Sequence, residues 1–297
     1  MRISLLGAPM DLGADRRGVD MGPSAIRYAD LDEKLRALGH QVEDTGNILI
    51  PQPETRAPGD PRLKYLDQIV ACAQELGPRV QSCVASDCLP ITLGGDHSIA
   101  LGSVSGVADA LTPIGLLWLD AHADFNTAET SPSGNIHGMV LAALCGYGDP
   151  RLINAAGPGP HVDPRRAVIV GARDLDAGEV RLLREVGIRV LTMTDIDRRG
   201  IAAVIEEALT LATNGANGLH VSFDLDVVDP REAPGVGTPV PGGITYREAH
   251  LAMELVAETG KLSALDLVEV NPILDVANRT GLLAAELALS ATGKRTL

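Results

Sequence analysis

Short apolar runs rich in branched residues recur along this chain, and a longer segment with helical spacing follows most of them. The runs begin at Ile3 (ISLLGA), Val42 (VEDTG), Pro90 (PITLGG), Ile114 (IGLLWLD), Ala167 (AVIVGA), Ile188 (IRVLTM), Leu219 (LHVSFD) and Leu262 (LSALDLVEV). Helical patterns span Ser24 to Leu38, Arg62 to Val84, Asp195 to Thr213 and Tyr246 to Glu258. Gly39, Gly187 and Gly260 stand where a left-handed residue closes a helix. Parallel strands need a crossover helix between them, and strands buried on both faces lose the polar alternation of a half-exposed sheet. The alternation therefore predicts an α/β fold of three layers, α/β/α, around a mostly parallel eight-stranded sheet. No internal repeat or low-complexity linker breaks it, so residues 1–297 read as a single domain.

Composition narrows the partners. Aromatic residues are only 2% of the chain against 45% hydrophobic, so Ala, Val, Leu and Ile must build the core. The net charge of -14 repels phosphate backbones and argues against nucleic acid. A solvated surface accounts for most of that acidity, but a carboxylate cluster that binds a cation is the sharper reading. Cys72, Cys83, Cys88 and Cys145 form no C-x-x-C pair, which fits reduced thiols better than disulfides or a zinc site. The opening MRISLLGAPMDLG is broken too early, by Gly7 and Pro9, for a signal peptide. With no apolar stretch of ~18 residues either, a cytoplasmic protein without membrane contact is expected.

Two loops stand out. Residues 51–61 are rich in proline and charge and read as surface. Residues 126–135 hold Thr127, Thr130, Ser131, Pro132, Ser133 and Gly134, too many breakers for a regular element. A loop that long inside a compact domain is more often functional than idle.

Four polar clusters follow apolar runs: GGDHS at 94–98, DAHAD at 120–124, SFDLD at 222–226, and Glu269 in LVEVNP. In open parallel sheets ligands bind beyond the carboxyl ends of the strands, so these clusters are expected to converge on one crevice. Asp120, His122 and Asp124 alternate with alanines. In extended chain such residues share one face at steps of ~6.6 Å, and Asp224 and Asp226 repeat the pattern. Any one D-x-D motif could be a strand-end cap. Four carboxylates packed together repel unless neutralised, and two divalent cations balance them, with His97 and His122 completing the ligands. Oxygen-rich ligation with two imidazoles and no thiolate favours Mn²⁺, two per chain, with Co²⁺, Fe²⁺ or Ni²⁺ as substitutes. Such a pair holds a bridging water, lowers its pKa and presents hydroxide to an electrophile.

LGGDHS, DAHADFNTAETSPSGNIHGM, GARDLDAGE, SFDLDVVDP, GVGTPVPGGITYRE and VEVNP resemble the motifs of the arginases, within the ureohydrolase family, and stand in the same order. The N-terminal GAPMDLGADRRGVDMGPSAIR resembles the bacterial members, so the resemblance spans nearly the whole chain. It implies hydrolysis of L-arginine to L-ornithine and urea by attack of a hydroxide bridging two Mn²⁺ ions. It also implies the roles. Asp120 and Asp224 would bridge the ions, His97 and Asp124 would complete one, and His122 and Asp226 the other. Asp124 would accept a proton from the hydroxide, His137 would shuttle protons to the leaving amine, and Glu269 would pair with the guanidinium. Asn126, Ser133 and Asn135, with Ser131, would grip the α-carboxylate end. Asp176, backed by Glu179, would attract the α-ammonium, and Thr238 would line the pocket. Family members form trimers and often hexamers, so a homo-oligomer is implied.

His137 taken alone would more often be an ordinary structural histidine; its position two residues after Asn135 at the end of a polar loop is what singles it out. His40, His161, His220 and His250 lack such a context and read as structural or surface. The chain departs from the pattern at Val227, where many relatives carry Gly, and at Ser131, where some carry Thr. An agmatinase-like ureohydrolase is disfavoured by the NTAETSPSGNIHG loop. A non-catalytic binder is disfavoured because His137, Glu269 and the paired acids are all present. A metallophosphoesterase is disfavoured because no basic phosphate clamp is evident.

Overall fold

All eight apolar runs form strands: β1 Arg2–Ala8, β2 Gln41–Asn47, β3 Leu89–Gly94, β4 Ile114–Leu119, β5 Ala167–Ala172, β6 Arg189–Thr192, β7 Gly218–Asp224 and β8 Leu262–Val268. The computed structural model describes residues 1–295. The strands make one sheet in the order β2-β1-β3-β8-β7-β4-β5-β6. Every neighbouring pair is parallel, in keeping with the parallel sheet expected from the alternation of strands and helices.

Eleven α-helices accompany the strands among the described residues, the last of them after β8. They are α1 Gly22–Arg27, α2 Leu31–Ala37, α3 Leu66–Ala85, α4 Ala100–Leu111, α5 Val140–Leu144 and α6 Pro150–Ile153. The rest are α7 Ala177–Val186, α8 Met193–Arg199, α9 Ile201–Ala212, α10 Tyr246–Glu258 and α11 Arg279–Ala291. Side chains alternate across the sheet. Leu117 and Leu119 of β4 join a core shared with α1, α2 and α8 to α11, whereas Leu116 and Trp118 join a core shared with α3 to α7. Central strands β3, β4 and β7 are buried throughout, which is why their sequences lack polar alternation.

Two expected helices are each a pair. Ser24 to Leu38 breaks at Asp30, whose φ of 58° is left-handed and whose carbonyl starts a new helix by accepting the Lys34 N–H. Asp195 to Thr213 breaks at Gly200, with φ 78° and ψ 152°. The helix expected from Arg62 begins instead at Leu66, after a turn that ends in the left-handed Tyr65. Periodicity persists through both breaks because the flanking helices pack into the same core. Gly39, Gly187 and Gly260 do take left-handed φ values past helix ends. No helix of the described residues is long and apolar enough to cross a membrane.

Candidate active site and metal centre

The four central strands β3, β8, β7 and β4 end side by side, and each delivers one of the expected polar clusters. His97 opens a 3₁₀ turn just past β3, Asp120 follows β4, Asp224 ends β7, and Glu269 follows β8. The crevice predicted at the strand ends is therefore where these side chains meet.

The extended geometry expected for the two D-x-D motifs does not hold. The chain bends at Ala121 and His122, and Asp124 is left-handed at φ 51°. Asp226 lies in a 3₁₀ turn, Leu225–Val227, begun by Asp224, whose Oδ1 accepts the Asp226 N–H at 2.8 Å. An extended run would place successive ligands ~6.6 Å apart along a line, too spread for one ion. Turning the backbone draws them together.

His97 is fully buried, with Nδ1 3.2 Å from Asp120, 3.1 Å from Asp124 and 3.3 Å from Asp224. His122 Nδ1 stands 3.3 Å from Asp120 and 3.1 Å from Asp226. Two ligand sets emerge, His97–Asp120–Asp224 and Asp120–His122–Asp226, with Asp120 common to both. His97 Nδ1 makes no hydrogen bond, while its Nε2 is 2.8 Å from Ser222 Oγ. A ring anchored on one nitrogen and orphaned on the other is the arrangement of a metal ligand. Burial, then repulsion from Asp120, push Asp124 up to about 6, and burial with Asp226 and Asp120 raises Asp224 well above the usual range. The protein alone thus resists full ionisation of this cluster. A doubly charged cation on each set removes that resistance, so the donors fit a pair of divalent ions.

Glu269 is likewise left-handed, at φ 64°, and only 1% exposed. Its Oε1 accepts the His97 N–H at 3.0 Å and lies 3.1 Å from His137 Nδ1. Its Oε2 is buried with no hydrogen-bond partner. A Cβ on Gly237 would come within 3.0 Å of that oxygen, so the glycine keeps the approach open. Burial disfavours charge on His137, but the hydrogen bond and charge of Glu269, with Asp124 and Asp96, outweigh it and raise the imidazole to about 9.

Beside this cluster lies a cavity of about 140 Å³ lined by His122, Asp124, His137 and the expected recognition residues. Asn126, Ser131, Ser133, Asn135, Asp176, Glu179 and Thr238 all border it. Residues 126–135 contain no helix or strand, as expected. The loop is nonetheless ordered by its own bonds. Ser131 Oγ accepts the Gly134 N–H and Ser133 Oγ accepts the Asn135 N–H, and the two hydroxyls stand 3.4 Å apart, so at least one keeps a proton free for a ligand. Asn126 donates to Asp176 Oδ2 at 2.9 Å and accepts from Thr130. Glu179 accepts from Phe125 and Asp176 backbone N–H groups, so it braces the wall from behind. Burial, the largest influence, raises its carboxyl to about 7. Thr238 donates to Asp226 Oδ2 at 3.0 Å as well as lining the cavity.

Gly134 is the loop's tightest point: its φ is +73° and an added Cβ would lie 1.9 Å from the Pro61 carbonyl oxygen. Gly134→Ala is expected to cost ~1–3 kcal/mol of stability, read from urea unfolding.

Several contributors carried no sequence signal that singled them out. Trp118 stacks on His97 at 3.9 Å and donates to Asp120 Oδ2 at 3.0 Å. Arg173 donates to the carbonyls of Asp226, Val227 and Val240, pinning the Asp226 turn. Val227, the departure noted above, is fully buried in that pinned turn. Asp174 lines the cavity and its outer mouth with Asp15 and Arg16. The alternation of Asp174 and Asp176 was the one available hint. His220 and His250 are buried in structural bonds to Asp266 and Ser290, as expected of histidines outside the motifs.

A family model described as the Arginase family matches residues 1–293. The arginase of Bacillus subtilis (strain 168) is 50% identical over 295 residues, 99% of each chain. The crystal structure of arginase from Bacillus caldovelox superposes with a TM-score of 0.97 at 48% identity, covering 100% of this chain and 99% of that one. The arginase of Entamoeba histolytica, solved in complex with L-ornithine, gives 0.87 at 31% identity, covering 99% of this chain and 100% of that one.

Proposed function

The chain belongs to the arginase family, and from that premise and the geometry of the cleft we propose that it hydrolyses L-arginine to L-ornithine and urea with two Mn²⁺ ions. The observation that carries this reading is Glu269 Oε2. It is a buried carboxylate oxygen without a partner, on the side chain whose other oxygen accepts the His97 N–H, and it faces a slot kept clear by Gly237. A guanidinium offers planar N–H donors and a positive charge suited to such an oxygen. The complex of the Entamoeba enzyme with L-ornithine supports the same class of ligand.

His97, Asp120, His122, Asp124, Asp224 and Asp226 would hold the ions. Bound there, the ions would lower the pKa of water toward neutrality and so supply hydroxide as the nucleophile. Glu269 fixes the guanidinium carbon in line for attack and favours its cationic form. Asp124 takes up the proton released as the new C–O bond forms. His137, held as imidazolium by Glu269, delivers a proton to the departing amine, without which ornithine leaves as a poor anion. Asn126, Ser131, Ser133 and Asn135 receive the α-carboxylate, and Asp176 the α-ammonium. Residues 1–297 act as one domain in this reading. Four free cysteines suit a reducing cytoplasm, and the exposed Tyr28, Ile273 and Val276 suit burial in a homo-oligomer, a trimer or hexamer.

Elemental analysis with a urea assay tests it. The wild-type protein should saturate at two Mn²⁺ per chain and release urea from L-arginine. Asp120→Ala or Asp224→Ala should weaken both ions, and His97→Ala mainly one. Saturation at a single ion would refute the paired centre.

A further inference from the structure

Lys64 lies outside every motif, yet it braces the recognition loop. Its backbone N–H donates to the Gly134 carbonyl at 3.1 Å. Its Nζ reaches Asn135 Oδ1 at 3.0 Å and the Asp15 carboxylate at 2.9 and 3.1 Å. An ammonium has only donors, so the Asn135 atom that faces it must be the carbonyl oxygen. The amide NH₂ is thereby turned away from Lys64. Asn135 borders the same cavity as Asn126, Ser131 and Ser133.

We propose that Lys64 is a positioning residue for substrate selection: by holding Asn135 through its carbonyl, it presents the amide NH₂ to the cavity and sets this wall for a carboxylate. The inference rests on the reading of L-arginine as substrate. A terminal amide torsion has two broad wells, and without Lys64 the Asp15 carboxylate is left on that side of Asn135, where it attracts the NH₂ rather than the carbonyl oxygen. The flipped amide would aim oxygen lone pairs at the incoming carboxylate. Asp15 sits on the same ammonium and offsets its charge, so Lys64 acts through the direction of its donor more than as a free cation. The outer mouth runs past this cluster, since Asp15, Asn135 and His137 line it together.

Steady-state kinetics of the Mn²⁺-loaded protein with L-arginine and agmatine test this, on wild type, Lys64→Met and Lys64→Arg. Losing one oriented hydrogen bond should raise KM for L-arginine by ~10-fold in Lys64→Met. Its kcat should stay within about twofold, since no interaction of the reacting centre is removed. Agmatine, lacking the carboxylate, should keep its kcat/KM, so the discrimination ratio falls by the same ~10-fold. Lys64→Arg, which keeps the donors, should restore most of it, and L-ornithine binding by calorimetry should weaken in parallel with KM. A discriminating wild type whose ratio survives Lys64→Met unchanged overturns the role of Lys64. So does an equal loss on both substrates, which marks a brace without selectivity. A wild type that does not discriminate at all overturns instead the substrate reading beneath it.

Discussion

His137→Asn is expected to lower kcat by ~10²–10⁴-fold while both ions stay bound. Asparagine keeps a donor that can reach Glu269 Oε1, now 3.1 Å from the ring, so the cleft should hold its shape. The backbone is secured independently, by the His137 N–H on the Gly13 carbonyl at 3.1 Å. What the substitution removes is a titratable proton. In wild type that proton is held firmly, because Glu269 raises the imidazole to about 9 against the penalty of burial. Glu269 thus favours the charged form of the side chain, the form that can act as an acid. KM for L-arginine should change far less than kcat, because the leaving amine needs the proton only as its bond to carbon breaks. Near-normal turnover at full metal occupancy would return His137 to a structural role.

L-Arginine should be preferred over agmatine by ~10⁴-fold in kcat/KM. The two share the guanidinium and the alkyl chain, so Glu269 and the ion cluster treat them alike. The difference falls on the far wall, where the Ser131 and Ser133 hydroxyls and the Asn135 amide offer protons to a carboxylate. Agmatine leaves those donors unpaired. Water reaches the mouth and re-solvates them in part, which holds the ratio to the low end of what buried polar sites achieve. The double substitution Asn126→Ala with Ser133→Ala should cost arginine activity far more than residual agmatine activity. Asn126→Ala has a second effect, since it frees Asp176 from its 2.9 Å hydrogen bond and loosens the α-ammonium wall as well. Comparable kcat/KM for both substrates on wild type would refute the assignment to L-arginine and leave the hydrolytic chemistry standing.

The sheet could be read from the chain because its strands are buried on both faces, so that apolar runs such as IGLLWL and AVIVGA have no competing interpretation. The strand-end acids were legible for the opposite reason: charge placed directly after such runs has no cheap structural use. What escaped was set by tertiary contact. The breaks at Asp30 and Gly200 leave the helical period intact and show only as left-handed or extended backbone at single residues. The bend through Asp120 to Asp124 looks extended in sequence, since alternation marks a shared face in a strand but does not require one. Trp118 and Lys64 reach the site from positions with no motif of their own, and Arg173, though inside GARDLDAGE, carried no sign of its role. Their partners are carbonyls, a stacked ring and an amide oxygen, none of which leaves a spacing in the sequence.

The strand order has a consequence for how such a protein comes into being. After β3 the chain steps across a gap two strands wide to lay down β4, β5 and β6, and returns to fill the gap with β7 and β8. During synthesis the two halves therefore wait, each with an unpaired inner edge, until the last third of the chain emerges. Such edges invite pairing with the wrong chain. The proposed ligands straddle the same seam, His97 on one bank, Asp120, His122 and Asp124 on the other, Asp224 and Asp226 at the end of β7, the first of the two strands that fill it. A ribosome-bound nascent chain cannot gather them, so ion capture would crown assembly and lock the seam behind the final strand.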